Sequence, residues 1–405
     1  MAKSRTILIA GGGIAGLTSA LCLANQGFRC VVFERTEKPA ATGAGIQLSP
    51  NAMHVLASLG LERGLLASGY APDAVILCQG RTGRELSRFV LGSQIKARYG
   101  QPYLVLHRAD LLAVLLGACR EHPDIDVRFD NRVRDVAQHR NGITVLSNHQ
   151  DRMEETTGLA LVGADGVWSS VRSEFLNGAN AAYSGKVAWR ALIDSSTLPS
   201  SIDIENTIMW LGSAAHFLHY PIRQSRYLNV VAVTSVPESF LPRRGGWIKT
   251  DAAPNGIGEF RNWSKPVLEV FEKTQGWGGW PVYTVPHSGT WGNDRIVLIG
   301  DAAHAMTPHA AQGGGAAIED AAVLAHAFSK HPEQPELAIA DYDRARRSRI
   351  KRIAKLSEEN RRIYQMRPPF SWARDVAMKT LPQDRLQKRL EWLYGWQQPS
   401  LAMKR

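Results

Sequence analysis

Short apolar runs separated by polar breaks outline the first part of the chain. Residues 6–10 (TILIA) have the pattern of a buried strand. Residues 14–25, rich in Ala and Leu, read as a helix that Gly27 ends, and 30–33 form a second apolar strand closing on Glu34. A loop is expected over 38–51, where Gly43, Ala44 and Gly45 suit a close approach of backbone to a ligand. Helices are expected over 51–59 and from the 104–112 run to about 122. Residues 74–90 alternate apolar and polar positions as strands of a small antiparallel piece do. Residues 127–146 read as strand, turn and strand around Asn141 and Gly142. The run 159–172 is a further buried strand leading through a turn into a helix, a return to the first layer.

The pattern changes after Lys186. Strands are expected over 186–193, 207–211, 215–220 and 227–235, separated by polar or Pro-containing turns. Such a series predicts an antiparallel sheet in a separate substrate domain. Residues 243–262 read as a surface loop and 266–274 as a short helix. Residues 295–301 form a third buried strand ending in an acidic turn. The glycines Gly313, Gly314 and Gly315 then open a helix over 316–329. Beyond Pro335 the chain is helical and charged.

Composition narrows the class. A chain of 405 residues with 44% apolar content holds two or three domains and a sizeable core. The net charge of +11 raises nucleic acid as a partner. The densest basic run, Arg344 to Arg352, spreads its charges around a helix without interleaved aromatic residues, so it reads as a solvated face. Neither nucleic acid nor membrane is expected as a partner. The four cysteines form no CxxC and no metal-ligand pattern, and buried thiols are expected. The first strand begins almost at once and no stretch reaches 18 uninterrupted apolar residues, which predicts a cytoplasmic protein.

The first unit carries chemistry. Gly11, Gly13 and Gly16 stand at G-x-G-x-x-G spacing between strand and helix, with Ala15 inside the turn. The first glycine allows the tight turn, the second lets backbone approach a pyrophosphate, and the third lets helix pack on strand. The helix N-terminus offers unpaired N–H groups to the phosphates. Glu34 is placed to accept hydrogen bonds from a ribose diol, with Arg35 beside it. This predicts a dinucleotide site but does not separate flavin from nicotinamide.

Two later segments complete a pattern. One is Gly163-Ala-Asp-Gly166 with Ser169, Ser170 and Arg172. The other is Gly300-Asp-Ala-Ala-His304, followed by Pro308 and by Gln312 to Gly315. Together with the first unit they resemble, over nearly the whole chain, the single-component flavoprotein aromatic hydroxylases. The resemblance implies an α/β fold. A Rossmann-like FAD-binding domain of the GR2 type would be interleaved with an antiparallel-sheet substrate domain, with C-terminal helices. The FAD-binding parts would be 1–75, 104–180 and 281–335, the substrate-domain parts 76–103 and 181–280, and the helical region 336–405. It implies that Glu34 binds the adenosine ribose of FAD and that Arg108 lies beside the pyrophosphate. Asp165 would stand between the dinucleotide fold and the nicotinamide approach, and Asp301 would hold the ribityl chain. Both aspartates also suit turn capping. Gly313 to Gly315, at a helix start, would face the flavin edge that becomes negative on reduction. Gly45 and Gln47 would face the flavin–substrate region. The implied reaction uses NADH or NADPH, bound transiently, and O2, and hydroxylates a phenolic ring through a C4a-hydroperoxyflavin.

The substrate residues come from the sheet. In His216-Phe-Leu-His-Tyr220, alternation puts His216, Leu218 and Tyr220 on one face and His219 on the other. The His-x-x-x-Tyr spacing resembles the pair with which such hydroxylases bind and deprotonate the substrate hydroxyl, and the two would serve one proton. His309, after Pro308, matches a substrate-contact position. Trp189 and Arg190 offer an aromatic wall or a carboxylate partner, or simply packing. His304 reads as structural. Paired histidines lack a carboxylate or cysteine to complete a ligand set, so no metal is expected. The expected substrate is a small aromatic acid such as salicylate or a hydroxybenzoate, and the protein a monomer or homodimer. Two alternatives share the fold. A flavin halogenase is one, although Gly276-Trp-Gly-Gly-Trp-Pro281 does not match the halogenase Trp-x-Trp signature. A non-catalytic flavin-binding protein is the other.

Overall fold

The structure is a computed structural model and describes residues 5–38, 45–150, 152–242, 248–250 and 257–399. Gly43 and Ala44, expected at a ligand, lie outside the described residues.

The apolar runs form two sheets. Thr6–Ala10 is the middle strand of a five-stranded parallel sheet, between Ala160–Gly163 and Arg29–Phe33, with Ile296–Leu298 and Ile125–Arg128 at the edges. Near-continuous apolar sequence is what a strand buried on both faces requires. Helices Ile14–Ala24 and Arg108–Glu121 pack on this layer, and Gly313–Lys330 packs on Ile14–Ala24. A three-stranded antiparallel meander, Asn131–His139, Gly142–His149 and Arg152–Gly158, lies beside it, and its first turn falls at the expected Asn141.

The second sheet has eight strands, in the order 248–250, 277–284, 182–194, 227–235, 216–222, 207–211, 74–79 and 85–90. All neighbours are antiparallel except Thr207–Leu211 against Ala74–Gln79. The 74–90 hairpin thus extends this sheet. Alternation gives the sheet two unlike faces. Trp189, Trp210, Phe217 and His219 face one way, into an aromatic core with Phe260, Phe271 and Trp277 under helix Lys265–Lys273. The opposite positions, Arg190, Met209, Leu218 and Val231, face the parallel-sheet layer across a cavity.

Several expectations need correction. Within the 38–51 loop, Gly45–Leu48 is a strand paired with Leu104–His107. Part of the 243–262 loop is edge strand, Ile248–Thr250, and Phe260 is fully buried. The Trp277–Thr284 segment, weighed only as a signature, is a sheet strand. The 159–172 run ends in a turn and a π-helical segment, Val171–Phe175. The basic run is not a solvated face throughout. Arg346 is 1% exposed and Arg349 also turns inward.

Candidate active site

The glycine turn is built as a cradle. Gly11 has φ +109°, and a Cβ there would stand 2.4 Å from the Ala164 carbonyl oxygen. A Cβ on Gly16 would stand 1.9 Å from the Gly11 carbonyl oxygen, so strand and helix meet at contact distance only because both are glycine. Gly13 has open space instead. It begins helix Ile14–Ala24 with no side-chain cap, so the first N–H groups are left for a ligand. The Glu34 carboxylate is held in place by the Gly12 N–H at 2.8 Å and the Thr36 N–H at 2.9 Å. Asp165 follows the parallel strand and accepts from the Val171 N–H at 3.2 Å, while its other oxygen has no hydrogen-bond partner among the described residues. Burial raises its pKa.

A cavity of about 550 Å³ runs from this cradle to the inner face of the eight-stranded sheet. It collects Gly13, Ala15, Gly45, Gln47, Arg108, Asp301, Gly313 and Gly314 from the parallel layer. From the sheet come His216, Tyr220 and Arg190, with His309 from the turn after Pro308. Gly11, Gly16, Glu34, Asp165, Gln312 and Gly315 support this wall from outside the cavity. Arg35 stands apart, in a polar cleft with Arg132 and Arg134. These features fit an extended dinucleotide whose phosphates meet Gly13 and whose ring system enters the cavity.

The Asp301 turn is pinned from behind. Gly300, at φ +57°, donates its N–H to Asp320 at 2.9 Å. Asp320 also binds His304 Nε2 at 2.6 Å and Arg346 Nε at 2.7 Å. Burial alone would raise the Asp320 pKa, but His304 and Arg346 outweigh it and bring the carboxyl to about 2. Next along the helix, Glu319 accepts from Arg346 at 2.6 Å, from Arg349 at 2.6 and 2.7 Å, and from Asn51 at 2.6 Å. Asn51 and Ser49 in turn hold Gln312, at 3.2 and 2.8 Å. The sequence reading passed over Glu319, Asp320, Arg346 and Arg349 as positioning residues. The available signal was an acid pair inside an Ala-rich, largely apolar helix, which on burial demands cations beside it. It also missed the wall that Tyr364, Leu390 and Leu393 supply from the C-terminal helices. Asp301 itself opens to the cavity, where desolvation raises its pKa.

The start of helix Gly313–Lys330 faces the same space. A Cβ on Gly313 would meet nothing nearer than Asp301 Oδ1 at 4.0 Å, and one on Gly314 would strike the Ile46 side chain at 2.8 Å. Backbone N–H groups therefore reach the cavity without a side chain between.

The structure brings His216 and His309 together, with ring centroids 5.1 Å apart. Gln365 Nε2 lies 3.2 Å from His216 Nδ1. Both His309 ring nitrogens are buried without a hydrogen-bond partner among the described residues. Burial, then the nearby Arg361 and Lys186 charges, holds the His309 pKa at about 4; burial and His309 itself push His216 well below its usual range. Both rings are neutral near pH 7 and can accept a hydrogen bond, although burial makes them weaker bases than free histidine.

Tyr220 occupies the other end of the same face. It stands four steps along the strand from His216, about 13 Å between Cα atoms. Its ring lies against Gly45, where a Cβ would come within 2.5 Å of the hydroxyl, and the hydroxyl bonds Gln47. Tyr103 also donates to Gln47, at 2.5 Å. Burial raises the Tyr220 pKa, with Arg190 pulling the other way. The two residues thus share a face, as alternation requires, but do not meet at one atom.

Comparison with known proteins now bears on this arrangement. The family model described as "FAD binding domain" matches residues 4–357. The chain is 31% identical over 400 residues to a 3-hydroxybenzoate 6-hydroxylase of Klebsiella oxytoca, covering 98% of each. It is 33% identical over 395 residues to a 3-amino-4-hydroxybenzoate 2-monooxygenase of Streptomyces platensis, covering 96% of each. Among solved structures, a salicylate hydroxylase substrate complex superposes with a TM-score of 0.80 at 22% identity, covering 99% of this chain and 100% of that one.

Proposed function

Because the chain belongs to the FAD binding domain family and is an FAD-dependent aromatic monooxygenase, we propose that the sheet face holds a small phenolic acid between the His216–His309 pair and Tyr220. The observation that carries this reading is the adjoining His216–His309 pair on the wall of a cavity reaching the dinucleotide cradle, with both buried His309 ring nitrogens lacking a hydrogen-bond partner among the described residues. Buried polar groups normally have partners, so these await one from a ligand. Among relatives, two named above act on hydroxybenzoates by name, which agrees with a carboxylated phenol here.

Bound FAD supplies the electron transfer from NAD(P)H and the activation of O2. The protein's part is binding, orientation and proton handling. The uncapped helix start at Gly13 takes the diphosphate, Glu34 the adenosine ribose and Asp301 the ribityl chain. Arg108 adds positive charge near the phosphates. The N–H groups of Gly313 and Gly314 would stabilise negative charge on a bound flavin. His216 and His309, neutral at working pH, draw off the ring hydroxyl's proton, since a phenolate is the better nucleophile. Tyr220, tied to Gln47, orients the ring at the other end. Leu218, Val231 and the C-terminal helices exclude water from the ring. A cytoplasmic enzyme, monomeric or homodimeric, completes the reading.

A panel of hydroxybenzoates assayed for stimulated NAD(P)H oxidation, with the product identified, tests it. At least one should raise oxidation and emerge with an added hydroxyl; stimulation by none would remove the proposal.

A further inference from the structure

The cavity extends well beyond the ring site. Register follows its floor outward from Leu218, which lies between His216 and Tyr220 on the cavity face. Leu218 is in register with Met209, Met209 with Leu77, and Leu77 with Ser87. In the neighbouring row Val75 is in register with Phe89. The floor thus continues over three further strands, about 14 Å at about 4.8 Å per strand. Met209, Leu77, Val75 and Phe89 all line the cavity and are only partly buried. Alternate positions on the same strands, such as Ile76 and Trp210, are buried in the aromatic core of the other face. Apolar side chains left uncovered along a binding cavity mark a surface that a ligand covers.

A separate roof covers this stretch. The elements assigned to the cofactor sit over the inner strands. Gly45 donates its N–H to Asn229 at 2.7 Å and lies against the Tyr220 ring, and Asn229 and Tyr220 are cross-strand partners. Over strand Glu85–Val90 pack the helices Phe370–Thr380 and Gln383–Tyr394, which present Met378 and Leu390 to the cavity. Arg389 beside them is paired with Glu359 at 2.9 Å, so its charge is already answered. Floor and roof here are apolar, and the space between them leads away from the cofactor wall. A single phenolic ring is little wider than one strand spacing, so a ring held at His216 and His309 leaves most of this floor bare. We infer that the hydroxylated ring carries an apolar substituent, which lies over Met209 and Leu77 and beneath Met378 and Leu390 while the ring hydroxyl meets the histidine pair. This rests on the hydroxylase reading above.

The test is equilibrium binding to the FAD-loaded enzyme, followed by perturbation of the flavin absorbance. The probes are phenol, 4-ethylphenol, 4-butylphenol and 4-hexylphenol, in which only the chain opposite the hydroxyl varies. Burial of each methylene on this floor predicts that affinity rises about 2- to 4-fold per carbon added. Leu77→Trp fills the middle of the floor and should abolish the rise beyond the ethyl compound. Leu77→Ala widens the same place and should keep the rise, so the two variants part in a way that general destabilisation would not produce. Ser87→Trp, entering the same row from the edge strand, takes the place of Leu77→Trp if that variant does not fold. The inference is overturned if wild type binds the butyl and hexyl compounds no better than phenol. It is also overturned if the rise survives the tryptophan substitution, which would put the chain elsewhere. Failure of the hydroxylase reading looks different: the compounds bind in the order of chain length but none is hydroxylated.

Discussion

In the proposed function Tyr220 and the two histidines would divide the work on the ring, and single substitutions separate their parts. Tyr220→Phe keeps the ring against Gly45 and removes the bond to Gln47. FAD should stay bound and NAD(P)H oxidation should continue, while product formed per NAD(P)H consumed falls and hydrogen peroxide rises. His216→Ala and His309→Ala should each cut hydroxylation by roughly 10²–10⁴-fold. Since their rings adjoin, the double variant should be little worse than either single one. Unchanged rate and coupling in both histidine variants would mark the pair as packing. The sequence makes the shared face of His216 and Tyr220 legible through period-2 alternation. It does not show which atoms meet, because the His216–His309 contact joins positions 93 residues apart in the chain. Arg190 is visible in the sequence only as one of two adjacent candidates. The strand then sends Trp189 to the aromatic core and Arg190 to the cavity.

At the scale of elements, the site depends on helix Gly313–Lys330 and on the helix Pro335–Tyr364 behind it. Arg346 neutralises Glu319 and Asp320, and Asp320 holds Gly300 and so the Asp301 turn. Arg346→Met strips one cation from a buried cluster in which only the Arg349 charge then faces Glu319 and His304 faces Asp320, which costs up to about 3–5 kcal/mol. Urea denaturation should show that loss, and flavin occupancy should fall with it. A loss under about 1 kcal/mol would mean that the cluster is dispensable. Asp301→Ala probes the cavity side of the same turn: the protein should remain folded but flavin-depleted, as read from the absorbance ratio, and full occupancy would remove Asp301 from the cofactor site. Strand–glycine–helix order made the cradle readable because backbone geometry there admits few residues. The buried role of Arg346 was hidden, since a helix that presents charges all round gives no periodic sign of which one turns inward. The Gly45–Leu48 strand was hidden by its small residues, which read as loop until its partner Leu104–His107 is known.

The whole molecule buries three neutral histidines at or beneath the sheet: His216, His219 and His309. Burial holds His219 and His309 at about 4, below the unfolded value near 6.5. Above pH 6.5 both states are neutral and this stability is fully present. As pH falls from 6.5 toward 4 the unfolded chain takes up protons that the folded one refuses, and stability is lost, by at most roughly 3 kcal/mol for each group. Asp320 acts lower. Its depressed pKa contributes stability that is present above about pH 4 and lost as pH falls toward 2. Denaturation midpoints should therefore decline from pH 7 to pH 5, and a flat profile would contradict neutral burial.

In the proposed function this chain positions a phenolic acid for hydroxylation by oxygen from O2 at its FAD. Mass spectrometry of the product formed under 18O2, with NAD(P)H and the hydroxybenzoate that stimulates oxidation, tests it most directly. Each hydroxylated product should carry one 18O atom, and none when only the water is labelled. Label arriving from water would contradict it.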